Sequence, residues 1–187
     1  MNALKHLFTV LLLLCSTIVM AETITVNGIK YYVDTIKKQA EVIGSTAGFS
    51  GDIVIPATIE YSAEVYNVTS IEAQLFGGCV GLTSIAIPSS INEIGSGAFC
   101  DCSALTSATI GNKIKDICFE AFYGCDNLKD VYCLATTAPE ISNYAFNQSK
   151  IENVTLHVPV VAINSYKANR PWNYFGSIVT YDGNNSK

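Results

Sequence analysis

The sequence predicts an α/β solenoid: a right-handed superhelix of about four 23-residue repeats, each a short parallel strand plus a turn or short helix, closed by a β-rich N-terminal cap and a C-terminal cap. Three observations predict it. Leu75-Phe76, Ala98-Phe99 and Ala121-Phe122 recur 23 residues apart, and Cys79, Cys102 and Cys125 follow at the same interval. Aliphatic rows keep the same beat, with Leu82, Leu105, Leu128 and Ile151, then Ile85, Ala108, Val131 and Val154, then Ile87, Ile110, Cys133 and Leu156. Ile71, Ile94 and Ile117 lie upstream of each phenylalanine. So many independent positions on one period mark a repeat array.

Residues 1–21 come first in order. Lys5 precedes an uncharged run from Leu7 to Met20, and Val19-Met20-Ala21 ends in a small residue before Glu22. A basic start, a short apolar run and a small cleavage residue describe a secretory signal peptide. The run falls short of the roughly twenty residues a spanning helix needs, and no later segment comes closer. Cys15 follows Leu14, which is bulkier than the small residue a lipid-attachment signal prefers. The expected destination is secretion or the cell surface, with the periplasm an alternative, and no transmembrane segment after cleavage.

Residues 22–66 read as the N-terminal β cap with a partial repeat. Ile24-Thr25-Val26 and the Tyr31-Tyr32-Val33 run flank Asn27-Gly28, a hairpin-turn signal. Ala40 to Ile43 is a further strand, and Ile53-Val54-Ile55-Pro56 matches Ile85-Ala86-Ile87-Pro88 with Tyr61 to Tyr66 inserted between them. Residues 67–158 are the repeats proper. In the second copy, Ile91 to Lys113, the Thr-rich segment Leu105 to Ile110 suits a strand, and Gly95-Ser96-Gly97-Ala98-Phe99 turns the chain and places one aromatic inward. A single unit is too short to offset the entropy of ordering its backbone, so stacking must supply a strand ladder and shared aliphatic rows. The fourth unit looks degenerate: Phe146 arrives one residue late, and Ser149 stands where cysteine is expected. Residues 159–187 form the C-terminal cap and tail. They hold a short helix within Val160 to Ala168, then Pro171, Trp172, Tyr174, Phe175, Ile178, Val179 and Tyr181, and a loose tail from Asp182 to Lys187.

Composition narrows the function. With 49% hydrophobic and 14% charged residues the chain is too apolar for disorder. Of 11 basic and 16 acidic residues, residues 1–21 hold only Lys5, so the remainder carries 10 against 16, a balance of −6. An acidic surface without a Lys/Arg cluster gains nothing from phosphate backbones, and nucleic acid is not an expected partner.

The phrase Val68-Thr69-Ser70-Ile71, then Phe76, Cys79, Leu82-Thr83-Ser84-Ile85 and Ile87-Pro88, closely resembles the BspA-type leucine-rich repeat. It recurs in weaker form at Ile91–Gly111 and Ile114–Leu134. The opening hairpin from Val26 to Tyr31, Gly51 to Pro56, and the close at Leu156-His157-Val158-Pro159 with Tyr166 and Trp172 resemble that family too. The resemblance implies a leucine-rich-repeat superhelix and a secreted or surface protein of host-associated bacteria or mucosal protozoa, engaged in adhesion or protein recognition. The array here is short, and Ala108 and Cys133 replace larger aliphatics.

Candidate chemistry is thin. The Cys79, Cys102 and Cys125 row reads as small buried thiols under the phenylalanines, and the spacing does not suit a zinc site. Cys100, Cys118 and Cys133 fall at non-equivalent positions and leave one disulfide open. His157, the sole histidine after residue 21, would have to serve any Ser-His-Asp or Cys-His arrangement. By repeat spacing it takes the place of Leu134, facing solvent at a strand end. Gly44-Ser45-Thr46-Ala47-Gly48 resembles a nucleophile elbow only in outline. Four Asn-x-Ser/Thr sequons, at Asn67, Asn147, Asn153 and Asn184, matter only in a eukaryote. No metal or cofactor is expected.

The outward strand positions are the stronger candidates. Thr83, Ser84 and Ala86 match Thr106, Ser107 and Thr109; the third unit offers Lys129, Asp130 and Tyr132, and the fourth Glu152, Asn153 and Thr155. Tyr132, Leu134 and His157 are expected to sit together as an anchor, since aromatics carry binding energy. The expectation is a non-catalytic module binding a protein partner through this strand face, host extracellular or cell-surface proteins being the natural class. A glycan-binding module on the same scaffold is the alternative, and a hydrolase using His157 the less favoured one.

Overall fold

The computed structural model describes residues 22–183. The signal peptide expected over residues 1–21 lies outside them, as do residues 184–187. The elements, in chain order, begin with β1 (Glu22–Val26), β2 (Ile29–Asp34) and β3 (Gln39–Ser45). They continue with β4 (Ser50–Val54), β5 (Thr58–Tyr61) and β6 (Glu64–Ile71). The repeats supply β7 (Gly81–Ile87), β8 (Glu93–Ile94), β9 (Ser107–Ile110), β10 (Asp116–Ile117), β11 (Asp130–Cys133) and β12 (Glu140–Ile141). Last come β13 (Thr155–Pro159), the short helix α1 (Ile163–Ala168) and β14 (Ser177–Tyr181).

These strands form three sheets. A six-stranded parallel sheet runs β14-β13-β11-β9-β7-β4, and a three-stranded parallel one runs β12-β10-β8. The third, β1-β2-β3-β6-β5, is mostly antiparallel and made of hairpins. Asn27 (φ 50°) and Gly28 (φ 80°) turn β1 into β2, because only a primed turn matches the twist of the strands it joins. Asp34 caps the next turn, its carboxylate accepting the amides of Ile36 (3.0 Å) and Lys37 (2.8 Å). The Tyr61–Tyr66 insertion is the β5–β6 hairpin. Strand β6 then runs on through residue 66, where the sequence divides the opening region from the repeats, and pairs in parallel with β3.

The repeat period acts through the interior. Phe76, Phe99 and Phe122 are fully buried, and their rings stack at 4.9 and 5.1 Å. Phe49 extends the column at one end, 4.1 Å from Phe76, and Phe146 at the other, 4.9 Å from Phe122. Trp172 and Phe175 close it edge-on against Phe146. Trp172 is buried and donates its indole N–H to the Pro139 carbonyl at 2.9 Å, as a buried indole must.

Beside this column the cysteine row has a defined polar task. The Cys102 thiol donates to the Phe76 carbonyl at 3.0 Å, and the Cys125 thiol to the Phe99 carbonyl at 3.2 Å. Each sulfur also receives an amide from the preceding rung, Cys79 for Cys102 and Cys102 for Cys125. Ser149 continues the pattern: its hydroxyl donates to the Phe122 carbonyl and accepts the Cys125 amide. The position needs a small group that both donates and accepts, and both thiol and hydroxyl qualify. Ser149 is therefore a working substitute rather than a sign of decay. All six cysteines of the described residues are free.

One expectation about register and one about the C-terminal cap are corrected. The matching of Ile53 with Ile85 is observed in the β4–β7 ladder. In the fourth unit, however, Val131 lies opposite Leu156, not Val154, and Tyr132 lies opposite His157. One extra residue sits in the loop between β11 and β12, and a second in the 3-10 turn Ile151–Asn153 ahead of β13. The strand therefore arrives two residues later than a strict 23-residue beat requires. At the far end, Ile178, Val179 and Tyr181 do more than cover the core. They belong to β14, a sixth rung paired in parallel with β13 from Thr155↔Ser177 to Pro159↔Tyr181.

Candidate functional site

Along the six-stranded sheet, alternation sends one set of side chains into the core and the other outward. The outward positions form rows across the rungs. One row holds Val54, Ala86, Thr109, Tyr132, His157 and Val179. The row beside it holds Asp52, Ser84, Ser107, Asp130, Thr155 and Ser177. The first rungs carry an exposed Val54 and Asp52, then small or hydroxylic residues. There Asp52 accepts the Thr83 and Ser84 hydroxyls at 2.8 and 2.7 Å, which holds its carboxyl below the usual range.

The later rungs build a cluster. The Tyr132 and His157 rings stack nearly parallel, 4.2 Å apart at 11°. His157 Nε2 lies 2.8 Å from Asp130 Oδ1, so the imidazole donates to a carboxylate one rung away and one row over. Tyr181 meets Tyr132 edge-on at 5.3 Å, the favourable geometry for two aromatic quadrupoles. Partial burial, then the negative Asp130 and then Tyr181 raise the Tyr132 phenol above its usual pKa. One ring stack, one edge-on ring contact and a hydrogen bond hold four side chains in one arrangement, so little rotamer freedom remains to be lost on binding.

The other predicted site residues are placed as follows. Lys129 is exposed at the entry to β11, its amide bonded to the Thr106 carbonyl at 2.9 Å. Thr155 faces Asp130 across the ladder and accepts from the Ser177 hydroxyl at 3.3 Å. Leu134 follows β11 half-buried, past the end of the strand, and His157 is level with Tyr132 rather than with it. Glu152 and Asn153 do not belong to a strand; the two-residue delay puts them in the exposed 3-10 turn ahead of β13. Tyr181 is a site residue that the sequence reading does not single out. Its signal was the alternation of Ile178 inward against Val179 and Tyr181 outward. Among the described residues, no group of three His, Cys, Asp or Glu side chains is set to hold a metal ion.

The phenylalanine column, the thiol row and the parallel ladder together specify a repeat class, and the profile of the BspA type leucine rich repeat region matches residues 57–169 in six copies. The chain belongs to the BspA-type leucine-rich repeat family. Solved structures agree on the fold. A leucine rich cell surface protein from Faecalibacterium prausnitzii is similar over 86% of this chain, at 25% identity and a TM-score of 0.57. This BspA-type chain spans 43% of that protein's length. A leucine-rich repeat protein from Bacteroides capillosus is similar over 73% of this chain and 97% of its own, at 22% identity and a TM-score of 0.60. The leucine-rich repeat protein of Treponema pallidum is similar over 85% and 83%, at 16% identity and a TM-score of 0.58. No curated protein matches the chain. No described helix is long and apolar enough to cross a membrane.

Proposed function

We propose that the chain is an exported, non-catalytic recognition module that binds a protein partner through the outward side of its six-stranded sheet, centred on Tyr132 and His157. The observation that carries this reading is the ordered Tyr132–His157–Asp130–Tyr181 cluster on an otherwise bland face. Aromatic anchors among small neighbours are the usual composition of an interface hot spot. Residues 22–66 and 159–187 act as caps on this reading, the hairpin sheet protecting one end of the array and Trp172 with Phe175 the other. Residues 1–21 direct export.

The alternatives fit the cluster less well. A glycan platform needs a free aromatic face, and one face of Tyr132 is covered by His157. A hydrolase needs a nucleophile within reach of His157 inside a cleft that excludes water. Here His157 is engaged by a carboxylate and a phenol ring on an open sheet.

The test is a binding screen of the secreted chain against extracellular proteins and mucosal glycans in parallel. Tyr132→Ala should weaken a captured protein about tenfold, a typical cost for an interface anchor. Retention of mucosal glycans alone, or equal capture by Tyr132→Ala and wild type, would refute the reading.

A further inference from the structure

A second surface belongs to the three-stranded sheet rather than the six-stranded one. Two large aromatics emerge just after its strands: Phe119 follows β10 and Tyr144 follows β12, with 49% and 56% of their areas exposed. Their rings contact one another at 5.6 Å and 52°, forming an open notch. The core does not need them, since the buried column runs through Phe122 and Phe146. Two exposed rings in contact make a contiguous apolar patch, the kind of surface feature that marks an interaction site.

The surroundings say what. Phe119 stands between two shallow grooves. One is lined with Asp116, Glu140, Ser96 and Ser142, the other with Asp101, Glu120, Gln74 and Gly78. Neither lining contains a lysine or arginine. Glu93, Asp116 and Glu140 lie directly in register across β8, β10 and β12, and like charges paired across strands are destabilising. The ion pairs found among the described residues engage Asp34, Glu64, Asp126 and Asp130. None engages Glu93, Asp101, Asp116, Glu120 or Glu140. Lys113 and Lys115, the nearest bases in sequence, line a separate groove with Asn92 and Thr136.

We infer that the Phe119–Tyr144 notch is a docking surface for an arginine-bearing segment of a protein partner. A guanidinium stacks on an aromatic face and presents forked donors to carboxylates. Here the face is flanked by carboxylates on both sides. The notch lies on different strands from Tyr132 and His157 and does not depend on the role proposed for them.

The experiment titrates a labelled hexa-arginine peptide into the protein at about 0.15 M ionic strength and follows fluorescence anisotropy. Asp116→Asn with Glu140→Gln should weaken binding about fivefold relative to a charge-matched control, Glu60→Gln with Asp126→Asn. Phe119→Ala with Tyr144→Ala leaves the net charge unchanged and should weaken it about threefold. Tyr132→Ala should leave it as it is. Should the double alanine variant fold poorly, Phe119→Leu with Tyr144→Leu keeps apolar bulk, removes the rings and tests the same stacking. Equal losses from both charge pairs, or no loss on removing the rings, would reduce the surface to diffuse acidity and overturn the inference. Ring-dependent binding of a neutral sugar such as chitotetraose would overturn it too.

Discussion

The two sides of the six-stranded sheet are built from the same strands and obey different rules. Inward, Ile85, Ala108, Val131 and Leu156 are all buried and all apolar. Outward on the same rungs stand Ala86, Thr109, Tyr132 and His157, which share no chemistry. The interior repeats because each rung must offer its neighbour the same hydrophobic row. The exterior is under no such demand, so a departure from blandness there reports something other than folding. On this scaffold the period locates the core, and breaks in outward composition locate candidate sites.

The sharpest way to break this comparison is to remove one member of the interior column. Phe99 packs between Phe76 and Phe122 with no exposed area. Phe99→Ala should cost about 3–5 kcal/mol in denaturant unfolding, the usual range for a buried phenylalanine. A loss below about 1 kcal/mol would mean that the column is not what joins the rungs.

A smaller effect separates composition from role within the interior. Ser149→Ala leaves the Phe122 carbonyl and the Cys125 amide without their shared partner, which should cost about 1–3 kcal/mol. Ser149→Cys restores a donor and acceptor and should recover most of that loss. If alanine and cysteine behave alike, the polar ladder contributes nothing and the row is packing alone.

How far the sequence reaches is clear at this same point. The 23-residue beat places the Phe76, Phe99 and Phe122 column directly, because equal spacing in sequence becomes equal position in a stack. The Asn27-Gly28 turn and the Ile53/Ile85 match are legible for equally local reasons. A strict beat fails where the chain inserts residues. The late Phe146 shows the first insertion, but the turn at Ile151–Asn153 adds a second that no row announces. Tyr132 therefore meets His157 instead of lying diagonal to it. Ser149 is misread because it differs from cysteine in hydrophobicity and matches it in hydrogen-bonding capacity. The Phe119–Tyr144 pair is invisible because its members are 25 residues apart, one more than the 24-residue offset at which β10 and β12 pair, so no repeat row joins them.

The thiols offer a pH test of the interior. Burial pushes the Cys102 thiol up to about 12 and the Cys133 thiol up to about 11, both from an ordinary 9.0. Folded values above unfolded ones mean that these groups support the fold fully below pH 9, where both states hold the proton. That support falls as pH rises through the window from about 9 to about 12, because only the unfolded state ionises readily. Thermal melts should therefore drop across that range, and Cys102→Ser should flatten the drop. An unchanged melting temperature up to pH 11 would show that the thiol row is not sealed from solvent.

The smallest stability effect is expected on the outward side, and there its smallness is informative. Tyr132 is half-buried against His157 and Tyr181 but contributes nothing to the phenylalanine column. Tyr132→Ala and His157→Ala should each cost about 1 kcal/mol or less in unfolding, with a coupling of about 0.5–1 kcal/mol in the double-mutant cycle from their stacking. On the proposed function the same substitutions should also weaken partner binding about tenfold while the protein stays folded, because the cluster would act there through a preformed shape rather than by holding the rungs together. A stability loss matching that of Phe99→Ala would instead make the cluster part of the scaffold, and the contrast between the two sides of the sheet would disappear.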